Sequence, residues 1–148
     1  LDMVRRRKHG YLEALRENRI PIDRDLVVCD KIDFDVARNA TLRLLEGENP
    51  PDAILAFNDI ITYAAFDAIK SKGLRIPEDV AIIGFTDGDT AAFVTPRLTA
   101  IMDQAHVQGT KACQLLMKSI NGDEKIYKEV VPMILKIRES SEKNLVKK

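Results

Sequence analysis

Short, wholly apolar segments alternate with amphipathic helical patterns along this chain, and this alternation limits its possible folds more than any other feature. The clearest apolar segments are Ala53–Phe57, Val80–Phe85 and Leu98–Met102. Strands that are apolar throughout, rather than at every second residue, are typical of a parallel sheet covered by helices on both faces. The sequence therefore predicts an α/β fold with a mostly parallel sheet flanked by helices.

Apolar residues at helical spacing predict the elements between these strands. Asp33 is expected to cap the second helix and Gly73 to end the third, because these residue types suit those positions. Pro132 cannot donate to a strand ladder, so the strand around it should lie at an edge or carry a bulge. Two further strands are expected at Leu26–Cys29 and Glu129–Ile137. The helices are expected at Val4–Asn18, from Asp33 to its end at Gly47, at Ile61–Lys72 and at Val107–Ile120.

Composition excludes several classes of protein. The chain has 148 residues, 45% of them apolar and 31% charged, which is typical of a globular domain. Lys plus Arg equals Asp plus Glu at 23 each, so the excess of positive charge that accompanies direct DNA binding is absent. The sequence contains no run of about 18 apolar residues, so it predicts no membrane span. Cys29 and Cys113 each lie in an apolar run, which predicts buried, reduced thiols and a cytoplasmic protein.

Three loops at predicted strand ends are candidate binding sites, because ligands of open α/β sheets gather beyond the carboxyl ends of the strands. Asn58 and Asp59 follow the first such strand, and each could cap the next helix or turn its polar group toward a ligand. Thr86 and Asp87 lie in a polar turn after the second, and could instead cap a short segment near residues 91–94. Gln104 follows the third, where the alternative is a solvated linker residue.

Signals for an enzyme are weak. The chain has no GxSxG, HExxH or CxxC motif, and His9 and His106 have no metal-like spacing. No GxGxxG or GxxxxGK[ST] loop is present, so neither a dinucleotide nor a phosphate loop is predicted. We therefore expect a binding module without a catalytic residue, metal or cofactor. A Rossmann-type enzyme is the alternative hypothesis from a different functional class.

A series of motifs in a fixed order resembles the C-terminal half of LacI-family transcriptional repressors. The resemblance runs from about Arg5 to Ser141, and the segment Gly73–Phe85 is its most characteristic part. The motifs are Arg7-x-x-Gly10-Tyr11, Pro51-x-Ala53-Ile54-x-Ala56-x-Asn58-Asp59, Gly73 to Phe85, Thr95-Pro96-x-Leu98-Thr99-x-Ile101 and Arg138-Glu139-Ser140.

The resemblance implies a periplasmic-binding-protein-like fold of type I, with a sugar or nucleobase effector held between two lobes. The chain would then be a fragment of the effector-binding domain, with residues 1–102 and 127–141 in the second lobe. A helix at 105–122 would cross to the first lobe. Operator DNA would be bound only by a helix-turn-helix domain outside this chain, and a homodimer is expected. A sugar-binding receptor of a transport system shares this fold and is the alternative function.

Effector contacts carried over from the family fall on Arg7, Asn58, the loop after Gly84 and Gln104. Two positions depart from the family pattern. Thr86 stands where most members have a carboxylate, so Asp87 could take over that role. Ile32 stands where a ring-stacking aromatic residue is frequent, and Phe34 follows two residues later.

The resemblance implies a dimer that pairs through the second lobe, and apolar faces with small side chains are expected to form its contacts. Phe93 and the helix after Asp59 offer such faces. On that helix the expected contacts are Ile61, Ala64, Ala65 and Ala68.

Overall fold

The computed structural model of the chain describes residues 2–86 and 89–142. That part holds four α-helices, four strands and two short 3₁₀ helices at Asp89–Ala92 and Glu139–Ser141. In chain order the helices and strands are α1 (Asp2–Glu17), α2 (Phe34–Glu46), β1 (Ala53–Ala56), α3 (Asp59–Ser71), β2 (Ala81–Phe85), β3 (Thr99–Met102), α4 (Ala105–Ile120) and β4 (Ile134–Lys136).

The strands form one sheet in the order β1-β2-β3-β4. β1, β2 and β3 are parallel, with Ala56 opposite Gly84 and Phe85 opposite Ile101, whereas β4 pairs antiparallel with β3. The predicted α/β class and the mostly parallel sheet are thus confirmed. Because parallel strands end on the same side, residues that follow β1 and β2 are brought together there.

The core lies between α3 and the sheet. Ile69 of α3 and Ile82 of β2 are both fully buried, and α2 packs beside α3. Gly84 allows α3 to approach closely, because a Cβ atom there would lie 2.3 Å from Thr62 Oγ1. The core residues are Ala65, Phe66, Ile69, Ile76, Val80, Ile82, Ala91, Leu98 and Ala100.

The predicted helix ends are observed. Asp33 caps α2, because its side chain accepts a hydrogen bond from the Val36 amide at 3.0 Å. Gly73 follows α3 with φ +71°, a left-handed conformation that glycine adopts without the strain a side chain would cause.

Two predicted strands differ from the structure. Leu26–Cys29 forms no strand, because it makes no ladder with β1. The segment follows a turn in which the Val27 amide donates to the Arg24 carbonyl. Glu129–Ile137 is a strand only at Ile134–Lys136, after Pro132, and its expected edge position is confirmed by β4 lying last in the sheet.

The predicted burial of both cysteines is wrong for this chain, since Cys29 and Cys113 are exposed. Cys29 lies in the segment that does not join the sheet, and Cys113 lies on α4, which has no buried residue. The expected dimer face is also wrong in part. Ala64, Ala65 and Ala68 are at most 1% exposed because they pack into the core of this chain.

Phe93 is 81% exposed and Ile61 is half-buried, so these two remain available for contact with another molecule. Within residues 2–86 and 89–142, no helix combines the length and apolar surface that crossing a bilayer requires.

Candidate functional site

The side chain of Arg7 reaches from α1 to the carboxyl ends of β1 and β2. Its Nη1 donates a hydrogen bond to the carbonyl of Phe57, directly after β1. Its Cζ lies 3.8 Å from the centroid of the Phe85 ring, at the end of β2, and 4.8 Å from that of Phe57. Arg7 therefore spans the ends of two neighbouring strands, where the sequence placed a ligand site.

Partial burial affects the pKa of Arg7. Burial lowers the pKa of Arg7 from its ordinary value, and the nearby negative charge of Asp103 acts in the opposite direction. Cation–π contacts of this kind contribute about 0.5 to 2 kcal/mol, with the larger values where water is excluded. Only Nη1 has a hydrogen-bond partner among the described residues, so the other N–H donors of the planar fork are unpaired in that part of the structure.

Asn58 caps α3, which is the alternative that the sequence left open. Its Oδ1 accepts a hydrogen bond from the Ile61 amide at 3.0 Å. The same amide carries Nδ2, for which no partner is found in residues 2–86 and 89–142. Capping and ligand binding are thus compatible, because they use different atoms of Asn58.

The polar turn after β2 is only partly described. Thr86 is 3% exposed, and its backbone amide donates to the Ile101 carbonyl at 3.2 Å. This burial leaves little of its surface for a ligand. Asp87 lies outside the described residues.

No contact of Gln104 or Ile32 with Arg7 or Asn58 is recorded in the described structure. Gln104 stands at the start of α4 without capping it, and its Nε2 donates to the Pro132 carbonyl at 2.7 Å. This hydrogen bond connects the start of α4 to the segment that precedes β4. Ile32 is 52% exposed and lines a cavity.

That cavity, of about 280 Å³, lies between α1, α2, the segment 26–32 and β1. Its lining is largely apolar, and it includes Arg7, Phe57 and Phe85 but not Asn58, Thr86 or Gln104. The cavity and the strand-end site thus meet at Arg7. Most of the cavity follows the outer edge of β1, which has no partner strand in the described part of the sheet.

Sequence reasoning missed Phe57 and Phe85 as site residues. Each follows or ends an apolar strand, so each was counted with the core. Tyr63 was also missed, whereas Asp59 lies in the first candidate loop that the sequence selected. Asp59 Oδ1 and the Tyr63 hydroxyl are buried without a hydrogen-bond partner in the described structure, although such atoms are normally paired with protein or water.

Arg7 and Asn58 thus lie at the ends of parallel strands in an α/β sheet, the position at which sheets of this class gather ligands. The chain belongs to the periplasmic binding protein-like domain family, whose model matches residues 2–141. The predicted fold class is confirmed by this match.

Curated relatives confirm the resemblance to LacI-type regulators. The probable HTH-type transcriptional repressor ExuR of Bacillus subtilis (strain 168) is 36% identical over 118 residues, which are 80% of this chain and 35% of that protein. The HTH-type transcriptional repressor CytR of Escherichia coli (strain K12) is 33% identical over 116 residues, 78% of this chain and 34% of that protein. The chain spans about a third of the length of these curated relatives.

Solved structures agree. A regulatory protein of the LacI family from Chloroflexus aggregans has a TM-score of 0.84 at 33% identity, over 92% of this chain and 50% of that one. The transcriptional regulator CelR in complex with cellobiose has a TM-score of 0.80 at 30% identity, over 91% and 42%. A LacI-family regulator from Arthrobacter sp. FB24 in complex with lactose has a TM-score of 0.67 at 30% identity, over 74% and 42%. The relatives named here are regulators, which favours that function over a transport receptor or an enzyme.

Proposed function

We propose that this chain is an effector-sensing part of a LacI-type transcriptional regulator and binds a sugar-like or nucleobase-like molecule at the ends of β1 and β2. The observation that carries the proposal is the position of Arg7 over both strand ends, where it donates to the carbonyl of Phe57, the residue before Asn58. A planar guanidinium grips two oxygens at once, which suits neighbouring hydroxyls or a carboxylate. The cellobiose and lactose complexes of the relatives support a saccharide.

The remaining parts of the proposal concern the whole protein. Residues 1–102 and 127–141 form the second lobe and α4 belongs with the first. Operator DNA is contacted by a helix-turn-helix domain outside this chain, and the regulator acts as a cytoplasmic homodimer. The relatives' names, which describe HTH-type transcription regulators, support the assignment of operator binding to a helix-turn-helix domain.

Calorimetric titration of the intact protein with cellobiose, lactose, simple sugars and nucleosides tests the proposal. Arg7→Ala should weaken binding of the active ligand by about 1.5 to 3 kcal/mol, the usual value of a hydrogen bond to a charged group. Arg5→Ala is the matched control, because Arg5 lies on the same helix and pairs only with Asp2 in the described structure.

Operator binding should be unchanged in both variants. Both should remain folded, since α1 has no buried residue, and Arg7→Ala should lose only the modest stability of its contacts with Phe57 and Phe85. Equal affinity of Arg7→Ala and the wild-type protein would contradict the site. If no saccharide or nucleoside bound the wild-type protein, the proposed effector class would be wrong.

A further inference from the structure

The ring of Phe85 lies on the face of the sheet from which Arg7 approaches. Successive side chains of a strand point to opposite faces. Gly84 faces α3, because a Cβ atom there would meet Thr62. Phe85, the next residue, consequently faces away from α3, and there Arg7 Cζ lies 3.8 Å from its ring centroid.

The backbone that carries the ring is fixed. Phe85 is the last residue of β2 and pairs in register with Ile101 of β3. The half-buried ring is thus held by the most buried strand of the sheet.

Arg7, in contrast, comes from a helix that is weakly attached. α1 has no buried residue, and within Asp2–Gly10 Arg7 alone is not classed as exposed. An arginine side chain has many rotamers, and ordering them on ligand binding reduces affinity. A residue of the sheet must therefore hold the guanidinium in one orientation if Arg7 is to be ordered before the ligand binds.

We propose that Phe85 is a positioning residue of the effector site: its ring fixes the plane of the Arg7 guanidinium, and the Phe57 carbonyl fixes its direction within that plane. This inference rests on the proposed function, because it assigns Arg7 to effector recognition. The ring contact occupies a face of the guanidinium and leaves the in-plane N–H donors for ligand oxygens. The ligand class it favours has two adjacent oxygen acceptors, such as vicinal hydroxyls or a carboxylate.

The Arg7 contact gives Phe85 a role other than stacking on the ligand. The resemblance expects a ring-stacking aromatic residue where this chain has Ile32. Phe85 supplies a ring elsewhere, but Arg7 lies against it. Affinity should therefore depend on Phe85 through Arg7, and the two substitutions should not be additive.

The first test needs no ligand. In the intact protein, the Nε–H resonance of Arg7, assigned by its loss in Arg7→Lys, should lie upfield of a free arginine side chain because of the Phe85 ring current. Phe85→Leu should remove this shift and Phe85→Tyr should keep it. Phe93→Leu is the control, because Phe93 is 81% exposed. An unshifted Arg7 resonance in the wild-type protein would overturn the proposal.

The second test is titration with cellobiose and with lactose. Phe85→Leu should weaken binding about three- to thirty-fold, the range that corresponds to loss of a cation–π contact. Phe57→Leu should cost less, because its ring is farther away, at 4.8 Å, and its carbonyl is retained. Phe85→Tyr should bind like the wild-type protein, and melting curves should show that each variant is folded.

The outcomes separate the two proposals. An additional loss of affinity from Phe85→Leu in an Arg7→Ala background, equal to its loss in the wild-type background, would show that Phe85 acts independently and would overturn the inference. If neither sugar bound the wild-type protein, the saccharide assignment would fail. The ring-current measurement would still decide whether Phe85 positions Arg7.

Discussion

Asn58 carries an amide whose two ends have different partners. Oδ1 satisfies an amide at the first turn of α3, while Nδ2 remains a donor at the end of β1. Arg7 is similar, since Nη1 is bound by Phe57 and the rest of the fork is free of hydrogen bonds in the described structure. Asn58 and Arg7 thus each use one atom to bond within the protein and leave another donor unpaired in the described structure.

This division makes Asn58→Asp an informative substitution. Aspartate caps helices as well as asparagine does, and its charge suits a helix N-terminus, so thermal stability should be kept. The Nδ2 donor is lost, so affinity for the saccharide identified by titration should fall. Asn58→Ala should lose that affinity and also about 0.5 to 2 kcal/mol of unfolding free energy. Unchanged ligand affinity in Asn58→Asp would restrict Asn58 to capping.

Gly84 supports Asn58 indirectly, because it lets the first turn of α3 approach β2. In Gly84→Ala the new Cβ would lie 2.3 Å from Thr62 Oγ1 and 2.5 Å from its Cγ2. We expect a loss of about 1 to 3 kcal/mol in unfolding free energy, as for other overpacked cores. Denaturant unfolding measures it.

Two comparisons complete the Gly84 experiment. Gly10→Ala in α1, where nothing lies within 4 Å of the new atom, should gain about 0.5 to 1 kcal/mol because alanine favours helix. Thr62→Ala combined with Gly84→Ala should recover part of the loss. A Gly84→Ala protein as stable as the wild type would contradict the close packing of α3 on β2.

The sequence located the candidate site but not its internal contacts. The rule that ligands gather at strand ends selected Asn58 and the turn after Gly84, and the family resemblance selected Arg7. Neither could show that Arg7 stacks on Phe85, because that contact joins residues 78 positions apart in the chain. Neither could assign Gln104 to the Pro132 carbonyl, for the same reason.

At the scale of elements, local patterns predicted the helices and central strands well. Their periodicity and caps are set by neighbouring residues, as Asp33 and Gly73 show. Strand pairing depends on distant partners, and there prediction failed. Leu26–Cys29 has the composition of a strand but forms no ladder, and only Ile134–Lys136 of the last predicted strand pairs.

The 3₁₀ helix Glu139–Ser141 locks the chain onto the sheet. Ser140 is fully buried, its Oγ donates to the Ile82 carbonyl at 2.6 Å, and it accepts from the Thr99 amide at 2.8 Å. Arg138 donates from its amide to Thr99 Oγ1 at 2.8 Å. These bonds explain structurally why the Arg138-Glu139-Ser140 motif is present.

Ser140→Ala should reduce the free energy of unfolding by about 1 to 3 kcal/mol, because it leaves buried backbone groups unpaired. Ser119→Ala, on the exposed surface of α4, should change it by less than about 0.5 kcal/mol. Urea unfolding of the two variants checks this. Equal stability of both would show that the Ser140 hydroxyl is not required to hold the chain end.

At the scale of the whole molecule, α4 is the element that this chain leaves unexplained. It has no buried residue, and three of its large apolar side chains are exposed: Leu116 by 60%, Met117 by 49% and Ile120 by 66%. Contiguous apolar surface of this kind is typical of an interface. It fits the proposal that α4 packs in the first lobe of the intact protein.

Cys113 provides a test of that placement. It precedes Leu116, Met117 and Ile120 by three, four and seven residues, so all four lie on one face of α4. If the first lobe covers this face, Cys113 in the intact protein should react slowly with a thiol reagent, and Cys29, which is exposed and does not lie on α4, should react faster. The variants Cys29→Ser and Cys113→Ser each remove one thiol, so comparison with the wild-type protein assigns the two rates. Leu116→Gln should speed the reaction of Cys113 by loosening the contact, without changing that of Cys29. Fast labelling of Cys113 in the intact protein would place α4 outside the first lobe.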